Sequence, residues 1–179
     1  MDSVESALSA AKGGADRLEL CGSLVIGGTT PNPWLFQEIR KHTDIRIHAL
    51  IRPRFGDFCY TDEEFILIRE AVKEFRRLGA EGVVIGILKP DGTLNMEQMK
   101  HLMEDAEGMS VTLHRAFDVC ADPYETMEQA ISLGLIQFLH QDRKISVLPE
   151  QTFLKDLIEK SAGRITIQVG SGVNADVNP

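Results

Sequence analysis

Six short apolar runs alternate without exception with segments of helical pattern along this chain. They are 17–21 (RLELC), 45–51 (IRIHALI), 82–87 (GVVIGI), 110–114 (SVTLH), 135–139 (LIQFL) and 164–169 (RITIQV). The runs are largely continuous rather than strictly alternating between polar and apolar residues, which predicts strands buried on both faces of a parallel sheet. Parallel neighbours need long right-handed crossovers, and one helix per crossover meets that need. The helical segments carry their own start signals. Asn32-Pro33 offers an N-cap followed by proline at the first helical position. Thr61 and Glu64 stand at capping-box spacing, and Gly79 supplies a stop. Phe65, Ile68, Val72 and Phe75 then recur on one helical face. Further helices are expected at 95–107, 122–133 and 150–161, and another ahead of the first strand. No linker or low-complexity segment interrupts the order, so residues 1–179 read as a single α/β domain.

Two architectures satisfy this pattern: a doubly wound sheet and a (β/α) barrel of TIM type. No GxGxxG follows any strand, which removes the dinucleotide fingerprint of the doubly wound class. Polar clusters follow several different strands, and a barrel draws its site from many strand ends. The barrel is therefore favoured. A complete one has eight strands and usually about 250 residues, so this chain of 179 residues reads as incomplete, with about six of the βα units.

Net charge is −8, from 19 basic and 27 acidic residues, and no basic run is present. That balance opposes nucleic acid and anionic membrane surfaces as partners. No apolar stretch approaches the roughly 18 residues of a membrane span. The opening residues lack the pattern of a signal peptide. Cys21, Cys59 and Cys120 are odd in number, far apart and without a CxxC pair. Reduced thiols and a cytoplasmic location are the expectation.

The chemistry concentrates just beyond the strands, which in a parallel α/β fold share the carboxyl-end face. Glu19 and Cys21 end the first strand, and Arg52, Arg54, Asp57 and Cys59 follow the second. The fourth is followed by His114, Arg115, Asp118 and Cys120, and the sixth by Gly170, Ser171 and Gly172. Forked guanidiniums suit carboxylate or phosphate ligands, and the arginines equally suit ion pairs that brace the loops. Glu19, His114 and Asp118 are the candidates for catalysis. Gly170-Ser171-Gly172 is able to present backbone N–H groups to an anion, or to form a plain turn. The three cysteines, converging, would select a soft ion such as Cu(I). Taken singly, each is a small buried residue.

Taken together, GADRLELC, GGTTPNPW, IRPRFGDFCYTDEE, GVVIGILKPDG, VTLHRAFDVC and GSGV resemble the CutC copper homeostasis family, in the family's order and over nearly the whole chain. The resemblance implies a cytoplasmic TIM-type barrel that assembles into homo-oligomers and has copper as its ligand. It also implies a polar pocket of Glu19, Arg52, Arg54, Asp57, His114, Arg115 and Asp118, with Cys21 as a soft copper ligand. Cys59 and Cys120 join Cys21 as metal candidates. Family members begin with one more strand and end with a further helix and strand, so 17–21 and 164–169 are expected as open edges. His140-Gln141-Asp142 stands where the family has Thr-Ser-Gly. The alternative is a barrel enzyme acting on a small anionic substrate, with Arg52 and Arg54 holding it and His114 as acid–base.

Overall fold

The computed structural model describes residues 1–140 and 150–169. Gly170, Ser171 and Gly172 lie outside the described residues, as do Gln141 and Asp142. The strands are β1 (Arg17–Leu20), β2 (Arg46–Leu50), β3 (Gly82–Ile85), β4 (Ser110–Leu113), β5 (Gln137–His140) and β6 (Thr166–Val169). They alternate with α1 (Val4–Lys12), α2 (Pro33–Arg40), α3 (Asp62–Arg77), α4 (Met96–Asp105), α5 (Pro123–Ser132) and α6 (Glu150–Ser161).

The caps explain where the helices begin. Asn32 Oδ1 accepts from the N–H of Trp34 at 2.9 Å, with Pro33 in the first turn. At α3 the capping box is complete: Thr61 Oγ1 accepts from Glu64 N–H at 3.3 Å, and Glu64 Oε2 accepts from Thr61 N–H at 3.0 Å. Acids fill the first turn of α3 and Arg76 and Arg77 its last, as the helix dipole favours. Its buried face is Ile68, Val72 and Phe75. Two short 3-10 helices, Leu24–Ile26 and Arg115–Val119, were not anticipated; both follow strand ends.

The sheet order is β1-β2-β3-β4-β5-β6, every neighbouring pair parallel. A doubly wound sheet reverses direction at a switch point; this one never does. Its six strands are strongly curled. At roughly 4.8 Å per strand, a flat sheet would hold its first and sixth strands about 24 Å apart. Instead, Arg17 of β1 donates to Gln168 of β6 at 2.5 Å and to Gln137 of β5 at 2.9 Å. The architecture is an α/β half-barrel of TIM type.

The hydrophobic core lies between the sheet's outer face and the helices. Leu18, Leu20, Ile47, Ala49, Val83, Ile85, Leu113 and Phe138 join Phe36, Ile39, Phe75 and Leu102 in one buried cluster. Phe36 and Phe75 meet edge to face at 5.8 Å, and Phe117 stacks on Phe138 at 4.1 Å. The inner face departs from the expectation of strands apolar on both sides. Register places Glu19 beside His48, His48 beside Gly82, Val84 beside Thr112 and Thr112 beside Gln137. Among the described residues no second layer of helices covers this face. The strands' own side chains fill it, and it is polar enough to hold a site.

Candidate functional site

At the carboxyl ends of the strands the inner face opens into a cavity of roughly 170 Å³. Glu19 and Cys21 reach it from the end of β1, Leu50 and Arg52 from β2, His114 and Arg115 from β4, and Leu139 from β5. Met1, Leu24, Gly27 and Phe58 complete the wall. Five of the residues singled out in the sequence, Glu19, Cys21, Arg52, His114 and Arg115, are thus brought together.

Arg52 is 8% exposed. Its Nη1 donates to Gly28 O at 3.2 Å and Gly27 O at 3.4 Å and its Nη2 to Gly56 O at 2.8 Å; among the described residues its Nε has no partner in hydrogen-bond geometry, and the Tyr60 hydroxyl beside the guanidinium is likewise unpartnered. Among the described residues no carboxylate stands within salt-bridge distance of it. The guanidinium lies over Phe58, 4.8 Å from the ring centroid. A second guanidinium approaches the same place. A Cβ built on Gly27, whose φ is +88°, would stand 3.4 Å from Arg52 Nη1 and 3.6 Å from Arg115 Nη1.

His114 packs against the same Phe58 ring at 4.6 Å. Its Nδ1 accepts from the N–H of Ala116 at 3.2 Å. Burial, reinforced by the Arg52 charge, lowers its pKa to about 3. The ring is therefore neutral, with its proton on Nε2, and that N–H has no acceptor among the described residues. On a wall residue of the cavity it is a buried hydrogen-bond donor, and a ring neutral at ordinary pH does not by itself supply a proton. Gly86 makes room for it, since a Cβ there would meet the ring at 2.8 Å.

Glu19 pairs with Arg17 at 3.3 Å. Burial pushes its carboxyl up, with Arg17 pulling the other way. Cys21 is buried, its thiol donating to Met1 O at 3.5 Å, and burial raises its pKa.

The remaining candidates lie elsewhere. Arg54 turns away from the cavity and pairs with Glu64 at 2.5 Å and Asp57 at 3.0 Å. It also donates to Cys59 O at 2.8 Å. Asp57 is mostly exposed, and the Arg54 contact holds its carboxyl below the usual range. Asp118 is buried beneath the Arg115–Val119 turn, 3.7 Å from Arg115 Nε. Cys120 sits in the core, its thiol donating to Phe117 O at 3.0 Å. Cys59 packs part-buried against that core. Neither lines the cavity, and no group of three or more His, Cys, Asp or Glu among the described residues is placed to hold a metal.

Sequence reasoning passed over Phe58, Gly27 and Gly86. Gly27 and Phe58 lie in loops and Gly86 in an apolar run, where no local pattern marks them. What gives each its role is a neighbour from another strand.

A curled wall of parallel strands, with a cavity at their carboxyl ends, defines an α/β protein of TIM-barrel type. Comparison with known proteins narrows this. The CutC family model matches residues 1–178. A CutC family protein of Vibrio campbellii is 42% identical over 98% of this chain and 72% of its own length. One from Bacteroides fragilis is 44% identical over 97% of this chain and 69% of its own. Among solved structures, a candidate copper homeostasis protein CutC from Streptococcus agalactiae superposes with a TM-score of 0.83 at 30% identity, covering 90% of this chain and 80% of that one. The chain belongs to the CutC family.

Proposed function

We propose that the chain is a cytoplasmic copper homeostasis protein that holds Cu(I) at the carboxyl-end cavity through Cys21. The observation that carries this reading is that Cys21, alone of the three cysteines, lines the cavity. Met1 shares the wall, its backbone carbonyl accepting from the Cys21 thiol, and a soft thiolate suits Cu(I). Family membership supports it, as does the description of the Streptococcus agalactiae relative. Copper here is cargo, so binding displaces the thiol proton that burial otherwise retains. The test is titration of reduced protein with Cu(I) against a competing chelator. Cys21→Ser is expected to abolish competition while Cys59→Ser and Cys120→Ser preserve it; retention by Cys21→Ser overturns the assignment. The proposal includes a homo-oligomer, which light scattering of the reduced protein tests directly.

A second reading is favoured by Arg52. A buried guanidinium without a carboxylate partner calls for an anion. On this reading the cavity takes a small anionic molecule, as a barrel enzyme would take its substrate. No helix among the described residues is long and apolar enough to cross a membrane.

A further inference from the structure

Two buried N–H groups on residues that line the cavity, Arg52 Nε and His114 Nε2, have no acceptor in hydrogen-bond geometry among the described residues. Their side chains are only 8% and 2% exposed. Both rest against the Phe58 ring, at 4.8 and 4.6 Å from its centroid. Leaving such a donor unpaired in a buried place is costly. Two in one cavity therefore mark the place of an acceptor oxygen. Charge makes the same argument independently. Both Arg52 and Arg115 approach Gly27, and like charges so placed favour an anion between or beside them. Of the nearby carboxylates, Glu19 is turned to Arg17 at 3.3 Å, and Asp118, 3.7 Å from Arg115 Nε, offsets that charge in part; Arg52 has no carboxylate partner among the described residues.

The rest of the wall describes the remainder of the ligand. Leu50, Phe58 and Leu139 are apolar, and a cavity of about 150 Å³ holds a molecule the size of benzene. Inorganic phosphate would leave oxygens against that apolar side without donors. A flat carboxylate has two oxygens for two N–H groups and leaves its body free for hydrocarbon contact.

We propose that the cavity binds a small organic carboxylate with a compact apolar body, its oxygens accepting from Arg52 Nε–H and His114 Nε2–H. Leu50, Phe58 and Leu139 hold the hydrocarbon part. This rests on the anion reading of the cavity and adds the class of ligand.

The test uses the reduced full chain, with isobutyrate and benzoate, their neutral amides, and inorganic phosphate as probes. Binding is followed by titration calorimetry and by the ¹⁵N shift of His114 Nε2. The carboxylates are expected to bind, with the amides weaker by about tenfold or more. Arg52→Met and His114→Phe are each expected to weaken carboxylate binding by about tenfold or more. The Nε2 resonance of the wild-type protein shifts on saturation, a readout that does not depend on a variant folding. Phosphate binding that needs Arg52, without carboxylate binding, overturns the carboxylate assignment and keeps the anion reading. Carboxylate binding that leaves the Nε2 shift unmoved overturns the two-donor geometry. No binding of any anion, or binding indifferent to Arg52→Met, overturns both.

Discussion

Arg52 and Arg54 leave the same strand end on either side of Pro53, and their guanidiniums end in opposite surroundings. Arg54 faces outward into a closed set of partners: Glu64, Asp57 and the carbonyl of Cys59. It thereby ties the loop to the capping box that starts α3. Arg52 faces inward, over Phe58, with backbone carbonyls for two of its nitrogens and, among the described residues, no acceptor in hydrogen-bond geometry for the third. The first arrangement is complete without a ligand and the second is not. Residue type does not separate a bracing arginine from the one proposed to bind; the partners each finds in the folded state do.

Acidification should separate the two sides most strongly. His114 titrates at about 3 and His48, buried on the inner face, at about 4, both below the ordinary 6.5. For each, the unfolded chain takes up a proton before the folded one does. Stability is therefore full above pH 6.5 and falls as pH drops toward 4 and then 3, by up to about 1.4 kcal/mol per unit for each imidazole. The carboxyls on the Arg54 side, Glu64 and Asp57, are held below their ordinary values. Their contribution is present above those values and is lost only at still lower pH. Urea midpoints measured against pH should show the decline starting near 6.5, and more shallowly in His114→Phe. A midpoint flat down to pH 5 would contradict the buried neutral rings.

Next in size is Gly86→Ala. The added methyl would meet the His114 ring at 2.8 Å and the Leu113 side chain at 2.9 Å. Such overpacking typically costs about 1–3 kcal/mol. Denaturant unfolding should register that loss, and the Nε2 signal should move without any ligand. An unaltered signal would mean that the inner side yields more easily than its packing implies.

Smaller effects belong to the outer side. Thr61→Ala removes the acceptor for Glu64 N–H and should cost about 1 kcal/mol, while leaving copper and anion binding alone. If chelator competition or anion titration changes in Thr61→Ala, the two arginine environments are coupled and the separation fails. Smallest is Asp57→Asn. The side chain is 67% exposed, and an exposed pair of this kind is worth at most about 1 kcal/mol. A melting temperature close to that of the parent is expected. A large drop would mean that the Arg54 cluster bears more of the loop than its exposure suggests.

Much of this was legible in the chain. The βα alternation, the capping box of Thr61 and Glu64, and the Asn32-Pro33 start are local patterns, and they appear where expected. Glu19, Cys21, Arg52, His114 and Arg115 were legible as a strand-end set because parallel strands deliver their carboxyl ends to one face. The division within that set was not. Nothing in the order Arg-Pro-Arg says which guanidinium turns inward, and three cysteines beyond three strands look alike until Cys120 is found bonded to Phe117 O in the core.

By itself, then, the sequence determined the succession of helices and strands and the membership of the CutC family, because hydrophobic period, caps and motif spacing act over a few residues at a time. Tertiary structure decided that the inner face is polar, that Arg52 rather than Arg54 is left without a carboxylate, and that His114 offers an N–H. Each depends on neighbours far away in the chain, Phe58 and Gly86 around the His114 ring and Gly27 beside Arg52. They meet because parallel pairing sets the ends of neighbouring strands side by side and the loops beyond them fold over one face.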